Sequence, residues 1–303
     1  MKIAIIGAGG VGGYFGARLA AAGQDVSFVA RGKHLEALQS QGLVVRSPGG
    51  DLELPVRATA DPAELGAVDY VLVSVKTWQL PEVITTMAPL VGASTAIVTV
   101  QNGVEAPDRV AEVYGRAAVL PGAAEVIAYV DGPGIIRHLG NGKLSFAEWD
   151  NQPSSRTDQL REAFVDAGLQ AAVPDDIWAA LWTKFLSVVP SGGLGAASGV
   201  GYGVLRSRPG TRRLLTEATT EIRDVALARG IALAEDVVPR TLAWIDQLPA
   251  DGTTSLQRDL IAGRPSELDA WTGAVVRLGA EAGVPTPVNT FLYELAAARA
   301  AAS

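Results

Sequence analysis

The feature that most constrains the fold of this chain is a glycine-rich turn directly after its first predicted strand. Lys2–Ile6 is an apolar run rich in β-branched residues, which is typical of a buried parallel strand. Gly7, Gly9 and Gly12 follow with the spacing G-x-G-x-x-G, and apolar residues with helical spacing come next. This order of strand, turn and helix is typical of a dinucleotide-binding site, and a purely structural turn is the alternative.

Each glycine of this turn has its own physical role. Gly7 permits the tight turn, Gly9 removes a side chain so that backbone N–H groups approach a pyrophosphate, and Gly12 lets the helix pack on the strand. The N-terminus of the helix carries a partial positive charge that favours phosphates. The predicted cofactor-binding residues of this turn are Gly7, Ala8, Gly9, Gly10, Val11 and Gly12.

The end of the second predicted strand indicates which nicotinamide cofactor is bound. In an NAD-specific site an acidic residue near this point binds the ribose 2′-hydroxyl. This chain has Arg31 there instead, with Lys33 and His34 close behind. A guanidinium matches the charge and geometry of a 2′-phosphate, so the sequence predicts NADPH. The alternative is a solvated basic turn.

Composition argues against several classes of protein. The net charge of −7 argues against a nucleic-acid-binding surface. The chain has no cysteine, which excludes disulfides and thiol nucleophiles, and its two histidines are too few for a histidine metal cluster. The first strand begins at Lys2, which leaves no room for a signal peptide, and no apolar run approaches the ~20 residues of a membrane span. We therefore expect a cytoplasmic protein.

The order of predicted elements indicates two domains. Strands alternate with helices as far as residue 173, and the chain from Ile177 onward is predicted to be helical. We expect an α/β domain over residues 1–173 and an all-α domain over 174–303. Within the first domain, residues 117–129 are predicted to form a pair of strands and residues 140–142 a turn. These elements are expected as antiparallel additions at the edge of the sheet.

Three polar residues are candidates for chemistry. Lys76 and Asn102 each follow a predicted buried strand, at the end where ligands of open parallel sheets bind. A solvated lysine and a tight Asn-Gly turn are the alternatives for these two residues. Lys184 lies in a predicted helix that is apolar on every face, so either its stem extends to solvent or its ammonium is functional.

Several motifs occur in one order along nearly the whole chain. They are the glycine turn, Val75–Gln79, Gln101–Gly103, Ala180–Lys184 and Gly263–Asp269. In this order they resemble the ketopantoate reductase (2-dehydropantoate 2-reductase) family, which serves pantothenate biosynthesis. The resemblance implies a Rossmann-type N-terminal domain and an all-α C-terminal domain similar to that of 6-phosphogluconate dehydrogenase. It also implies an active site in the cleft between them.

The resemblance further implies a role for individual residues. Lys184 matches the catalytic proton donor of the family, and Glu267 matches a catalytic carboxylate near the cofactor and that lysine. Ser255 matches the serine that binds the substrate carboxylate. The remaining matches are cofactor contacts at Lys76, Asn102 and Ala128, and Asn102 also faces the substrate.

The implied chemistry is consistent with these residue types. Reduction of a 2-oxo acid needs a proton for the alkoxide that hydride transfer creates, and the Lys184 ammonium both stabilises that alkoxide and supplies the proton. A carboxylate such as Glu267 keeps the ammonium charged despite desolvation. A structural salt bridge between the two residues is the alternative.

The chain departs from the family at its substrate positions. The family carries two asparagines, four residues apart, where this chain has Val188 and Gly192, and a third asparagine aligns with Tyr202. Ser187 and Ser191 keep that spacing but lie one residue earlier, about 100° round a helix. They replace the amides only if the helix is rotated or slipped. We therefore expect open space beside the lysine and a preference for 2-oxo acids with a larger or more apolar tail than ketopantoate.

Three functions are compatible with these patterns. The first is NADPH-dependent reduction of ketopantoate or a related 2-oxo acid. The second is NADPH-dependent reduction of another carbonyl or an imine in specialised metabolism, and the third is noncatalytic nucleotide sensing. The expected partner is a small-molecule 2-oxo acid, with neither nucleic acid nor membrane, and the apolar helical half is compatible with a homodimer.

Overall fold

The computed structural model describes residues 1–301, which form ten strands and twelve α-helices. The strands are β1 (Lys2–Ile6), β2 (Asp25–Val29), β3 (Leu43–Arg46), β4 (Leu52–Leu54), β5 (Arg57–Thr59), β6 (Tyr70–Val73), β7 (Ala96–Thr99), β8 (Val119–Gly132), β9 (Ile135–Phe146) and β10 (Gln170–Ala172). The helices are α1 (Gly10–Ala21), α2 (Gly32–Gln41), α3 (Leu80–Thr86), α4 (Ala106–Tyr114), α5 (Ser155–Asp166), α6 (Ile177–Ser198), α7 (Tyr202–Ser207), α8 (Pro209–Ala228), α9 (Val237–Gln247), α10 (Ser255–Ile261), α11 (Thr272–Ala282) and α12 (Pro287–Ala301).

The chain divides into two compact units. The first unit comprises Met1–Gln101 and Ala106–Ile177, and the second comprises Asn102–Glu105 and the described chain from Trp178 onward. The boundary predicted between residues 173 and 174 is close to this division. The membership of residues 102–105 in the helical unit is not predictable from the sequence, because four residues that leave a sheet have no periodic pattern.

The first unit is built on one ten-stranded sheet with the order β4-β3-β9-β8-β7-β6-β1-β2-β5, and β10 pairs with β9. Strand β1 is parallel to β2 and β6, and β7 is parallel to β6 and β8. Strands β6 and β7 are buried along their whole length, as expected for parallel strands that are covered on both faces. This arrangement is the Rossmann-type α/β fold predicted from the sequence.

The two longest strands differ from the prediction. The predicted strand pair over residues 117–129 is a single strand, β8, and the predicted turn at residues 140–142 lies inside β9. The two strands pair antiparallel, but β9 lies between β3 and β8 rather than at the sheet edge. Asn141 and Gly142 have φ angles of 58° and 150°, and the pairing register shifts at this point. The turn-forming residues therefore mark a β-bulge in a continuous strand.

The second unit is helical and has its own apolar core. Trp182 and Phe185 of α6 pack in this core with Ile222 of α8 and Trp271, which directly precedes α11. Helix α6 runs without interruption through Pro190. Helix α7 was not predicted, because six residues next to glycines are too few for a clear helical period.

Two negative findings apply to residues 1–301. No helix in this range combines the length and apolar character needed to cross a membrane. The same residues contain no group of three or more His, Cys, Asp or Glu side chains arranged to hold a metal ion.

Candidate active site

The glycine turn between β1 and α1 is closely packed at two of its glycines. Gly7 has a φ of +95°, and a Cβ atom there would lie 2.9 Å from the backbone nitrogen of Val75. At Gly12 a Cβ atom would lie 2.1 Å from Ser74 Oγ and 2.2 Å from the Gly7 carbonyl oxygen. Both positions therefore require glycine for the fold itself.

Gly9 differs from these two glycines because it faces open space. A Cβ atom there would have no described atom within 4 Å. Gly9 is the N-cap of α1, no described side chain caps the helix, and its first turn contains no acidic residue. The N–H groups of that turn have no partner within the helix, so the turn fits the pyrophosphate of a dinucleotide.

This contrast leads to a prediction about two alanine variants. Gly12→Ala should lower the free energy of unfolding by about 1–3 kcal/mol, because the added methyl group overpacks the turn. Gly9→Ala should leave unfolding nearly unchanged and weaken NADPH binding, because the methyl group stands where the pyrophosphate approaches. Thermal unfolding and fluorescence titration with NADPH measure the two effects. Equal NADPH affinity of Gly9→Ala and wild type would contradict the pyrophosphate assignment.

Two predicted cofactor contacts, Ala8 and Ala128, have backbone groups that pack at this turn. The carbonyl oxygen of Ala128, in β8, would lie 2.3 Å from a Cβ atom at Gly10, so strand and helix are in close contact. The imidazole of His34 accepts a hydrogen bond at Nδ1 from the Gly134 N–H (3.1 Å). Its Nε2 atom therefore carries the proton and donates to the Ala8 carbonyl oxygen (2.8 Å).

His34 consequently holds the glycine turn in place, and both of its ring nitrogens are engaged there. Burial lowers the pKa of its imidazole, and the hydrogen bond to Ala8 opposes only part of that effect. The neutral form is the one that can accept from Gly134. The proximity of His34 to Arg31 in the chain predicts a place near the 2′-phosphate, whereas the His34 ring is bonded to the glycine turn before α1.

Arg31 is the N-cap residue of α2 and is exposed. Its Nη2 atom lies 2.7 Å from Oε1 of Glu82, in the first turn of α3. The hydrogen bond to Arg31 lowers the pKa of the Glu82 carboxyl group, so the carboxylate is charged at neutral pH. An acidic residue thus lies next to Arg31, although it comes from a distant segment of the chain.

Lys76 lies in the loop that follows β6. Its ammonium group is 5.7 Å from the centre of the Trp78 ring. Gln101, which follows β7, fixes this loop because its Nε2 atom donates to the carbonyl oxygens of Val73 (2.8 Å) and Val75 (3.2 Å). The Oε1 atom of Gln101 is buried and has no hydrogen-bond partner among the described residues. The sequence analysis did not identify Gln101 as a site residue.

The second unit brings together three of the predicted site residues. Lys184 Nζ donates a hydrogen bond to Asn102 Oδ1 (3.0 Å), and Asn102 Nδ2 donates to Glu267 Oε2 (3.4 Å). The carboxamide therefore presents its oxygen to the cation and its nitrogen to the anion. Glu267 is buried, with 4% of its surface exposed, so its carboxyl oxygens depend on hydrogen-bond donors from the protein.

The segment that carries Asn102 is fixed against the chain just before α11. Gly103 has a φ of +109°, and a Cβ atom there would lie 2.9 Å from the Ala270 carbonyl oxygen. Glu105 forms an ion pair with Arg277 of α11 at 2.8 Å. These contacts explain why residues 102–105 belong to the helical unit and why Asn102 reaches Lys184.

The predicted substrate positions on α6 differ in their surroundings. Val188 and Gly192 follow Lys184 at intervals of four residues and therefore share its helix face. A Cβ atom at Gly192 would lie 2.7 Å from Cζ3 of Trp271. The Trp271 ring thus fills the volume that the missing side chain leaves at Gly192, and the open space expected beside Lys184 stays a prediction.

The two serines of α6 donate to their own helix. Ser187 Oγ donates to the Lys184 carbonyl oxygen (2.6 Å), and Ser191 Oγ donates to that of Val188 (3.2 Å). Burial raises the pKa of the Tyr202 hydroxyl, and a hydrogen bond with Ser191 opposes part of that rise. Both serine hydroxyls are thus engaged with carbonyl oxygens of α6, and their part in place of the missing amides stays a prediction.

Ser255 is the first residue of α10 and is half-buried. Its neighbour Thr254 caps the helix by accepting from the Gln257 N–H (3.2 Å). Its role as a substrate contact stays a prediction.

The uncapped glycine turn is typical of dinucleotide-binding proteins, and a lysine held by a carboxamide next to a carboxylate is typical of a site that transfers a proton. The family model described as ketopantoate reductase PanE/ApbA matches residues 3–151, and the model of its C-terminal part matches residues 176–300. The chain belongs to the ketopantoate reductase family. The resemblance stated from the sequence is confirmed.

Individual relatives cover nearly the whole chain. The 2-dehydropantoate 2-reductase of Mesorhizobium japonicum is 36% identical over 95% of this chain and 94% of its own length. The crystal structure of a PanE/ApbA family ketopantoate reductase from Ralstonia eutropha has a TM-score of 0.92 and 31% identity, covering 100% of this chain and 99% of its own. The structure of a D-mandelate dehydrogenase with NADH and anilino(oxo)acetate has a TM-score of 0.91 and 25% identity, covering 100% and 99%.

Proposed function

We propose that this protein is an NADPH-dependent reductase that converts a 2-oxo acid to a 2-hydroxy acid. The observation that carries the proposal is the hydrogen-bonded cluster of Lys184, Asn102 and Glu267. The names of the relatives support the reaction type, because both 2-dehydropantoate and mandelate belong to a pair of 2-oxo and 2-hydroxy acids.

The cofactor, when bound, supplies a hydride to the carbonyl carbon of the substrate. The chain's own residues supply the rest of the chemistry. Lys184 Nζ donates a proton to the carbonyl oxygen as negative charge develops there, and solvent returns that proton. Asn102 holds the ammonium in one orientation through its Oδ1 atom, and the buried Glu267 carboxylate fixes the carboxamide in turn. Ser255 is the proposed donor to the substrate carboxylate.

For the cofactor, we propose that Arg31 binds the 2′-phosphate of NADPH and that α1 binds the pyrophosphate. The glycine turn supports the assignment of the pyrophosphate to α1, since the N-terminus of that helix is uncapped and Gly9 leaves space. The alternative is an NADH-dependent enzyme. The NADH in the D-mandelate dehydrogenase structure favours this alternative.

For the substrate, we propose a 2-oxo acid whose tail is larger or more apolar than that of ketopantoate. Val188 and the Trp271 ring over Gly192 give the helix face next to Lys184 an apolar character. The anilino(oxo)acetate in the D-mandelate dehydrogenase structure joins an aromatic ring to an oxoacetate group, as an aromatic 2-oxo acid does, which supports such a substrate. The alternative is ketopantoate, in the pantothenate pathway, as the names of the other relatives indicate.

Steady-state kinetics decide between these substrates. NADPH oxidation is followed with pyruvate, 2-oxoisovalerate, ketopantoate and phenylglyoxylate. We expect kcat/KM to rise with apolar size, by about 10- to 200-fold per well-placed methylene-sized group. An optimum at ketopantoate that Ser191→Ala abolishes would favour the pantothenate reaction. Tight NADPH binding with no turnover of any carbonyl or imine would indicate a nucleotide sensor.

A further inference from the structure

The ion pair between Arg31 and Glu82 joins two elements at the carboxyl edge of the sheet. Arg31 follows β2 and Glu82 lies in the first turn of α3, which comes after β6. The side chains are 59% and 57% exposed, and their nearest atoms are 2.7 Å apart. An ion pair with this exposure contributes little to folding, so its removal should leave the stability of the fold unchanged.

The pair places an anion on the group that is proposed to bind a phosphate. A 2′-phosphate carries close to two negative charges, and it can use the Nη2 atom of Arg31 fully only if the Glu82 carboxylate gives up its contact. A carboxylate that stays nearby repels the phosphate. A cofactor with a 2′-hydroxyl has no such conflict.

Neighbouring basic groups do not remove this conflict. His34 is engaged with Ala8 and Gly134, as described above. Lys33 is exposed on α2 and adds one positive charge near the same edge. Arg31 is therefore the group for which phosphate and carboxylate compete.

We infer that Glu82 is a specificity-determining residue for the cofactor, because its carboxylate occupies Arg31 and narrows the preference for NADPH over NADH. This inference rests on the proposed function, since it assumes that Arg31 binds the 2′-phosphate. It predicts that the chain binds NADPH less tightly than its arginine alone would allow and that it retains measurable NADH binding.

The test is Glu82→Gln, which removes the charge and keeps the size of the side chain. Dissociation constants for NADPH, NADH, 2′-phospho-AMP and AMP are measured by titration calorimetry at low and high salt. We expect NADPH and 2′-phospho-AMP to bind about three- to ten-fold more tightly, with NADH and AMP unchanged. The gain should shrink at high salt, because the charges are exposed.

Glu53→Gln is the matched control. Glu53 is an exposed carboxylate on β4, which lies at the opposite end of the strand order from β2. Its Oε1 atom is 2.8 Å from Nη2 of Arg46. The same gain in Glu53→Gln would show a general effect of net charge and overturn the inference. Unchanged or weaker NADPH binding in Glu82→Gln, with thermal unfolding as in the wild type, would overturn it as well.

Arg31→Ala separates this inference from the proposed function. If Arg31→Ala leaves the ratio of NADPH to NADH affinity unchanged, the phosphate assignment of Arg31 fails and the inference fails with it. If Arg31→Ala narrows the ratio and Glu82→Gln has no effect, only the inference fails. In the double variant, Glu82→Gln should no longer change the ratio, because the group for which it competes is absent.

Discussion

Replacing Lys184 by alanine should lower kcat of the proposed reduction by about 10²–10⁴-fold, the range for loss of general acid catalysis. The affinity for NADPH should change little, because the dinucleotide is proposed to bind at the glycine turn of the other unit. Stopped-flow or steady-state measurement of NADPH oxidation gives kcat, and fluorescence titration gives the affinity. Lys184→Arg should restore little activity, since a guanidinium releases its proton reluctantly.

The control for this experiment is Lys143→Ala. Lys143 is a partly exposed lysine that pairs with Glu125 at 3.3 Å on the β8–β9 hairpin, and its loss should leave kcat unchanged. A wild-type rate in Lys184→Ala would show that the lysine is structural. Loss of activity together with a large drop in thermal stability would point to the same conclusion, and Lys184→Met, which keeps the apolar stem, then separates packing from proton transfer.

Arg31→Ala should reduce the affinity for NADPH by about ten- to hundred-fold and leave NADH affinity nearly unchanged. A charge-assisted hydrogen bond to a phosphate contributes about 1.5–3 kcal/mol, which corresponds to that range. Because Arg31 is exposed and pairs only at the surface with Glu82, its loss should not change the unfolding temperature measurably. Titration of both cofactors, with wild type and variant side by side, measures the effect.

Equal affinity of the wild-type protein for NADPH and NADH would contradict the cofactor assignment. Lys33→Ala is the comparison for this prediction, because it removes a positive charge two residues away. If Lys33→Ala lost as much NADPH affinity as Arg31→Ala, the 2′-phosphate would be bound by the positive charge of the turn in general and not by Arg31 specifically.

The parts of the fold that could be predicted from the sequence depend on local patterns. The glycine turn, the buried strands and the apolar helix around Lys184 each have a period or spacing that a short window contains. The bulge at Gly142 was mistaken for a turn, because the same residue types favour both structures. The homodimer and the cytoplasmic location stay predictions.

The parts of the candidate site that could not be predicted depend on distant contacts. Asn102 reaches Glu267 across 165 positions of the chain, and nothing near Asn102 in the sequence indicates that it belongs to the helical unit. Glu82 lies beside Arg31 only because two parallel strands bring their following helices together. The absence of an acidic residue directly after β2 was observed correctly, but it gave no information about an acid supplied by α3.

Because Trp271 and Gly192 are in contact, the effect of a substitution at one of these positions depends on the residue at the other. An asparagine at position 192 would place its Cβ atom 2.7 Å from the Trp271 ring, so that change alone meets an obstacle in the folded state. A smaller residue at position 271 alone would leave a cavity. The effects of the two changes are therefore strongly non-additive. An asparagine at position 192 and the tryptophan at position 271 therefore exclude each other, and either natural or engineered exchange requires substitutions at both positions.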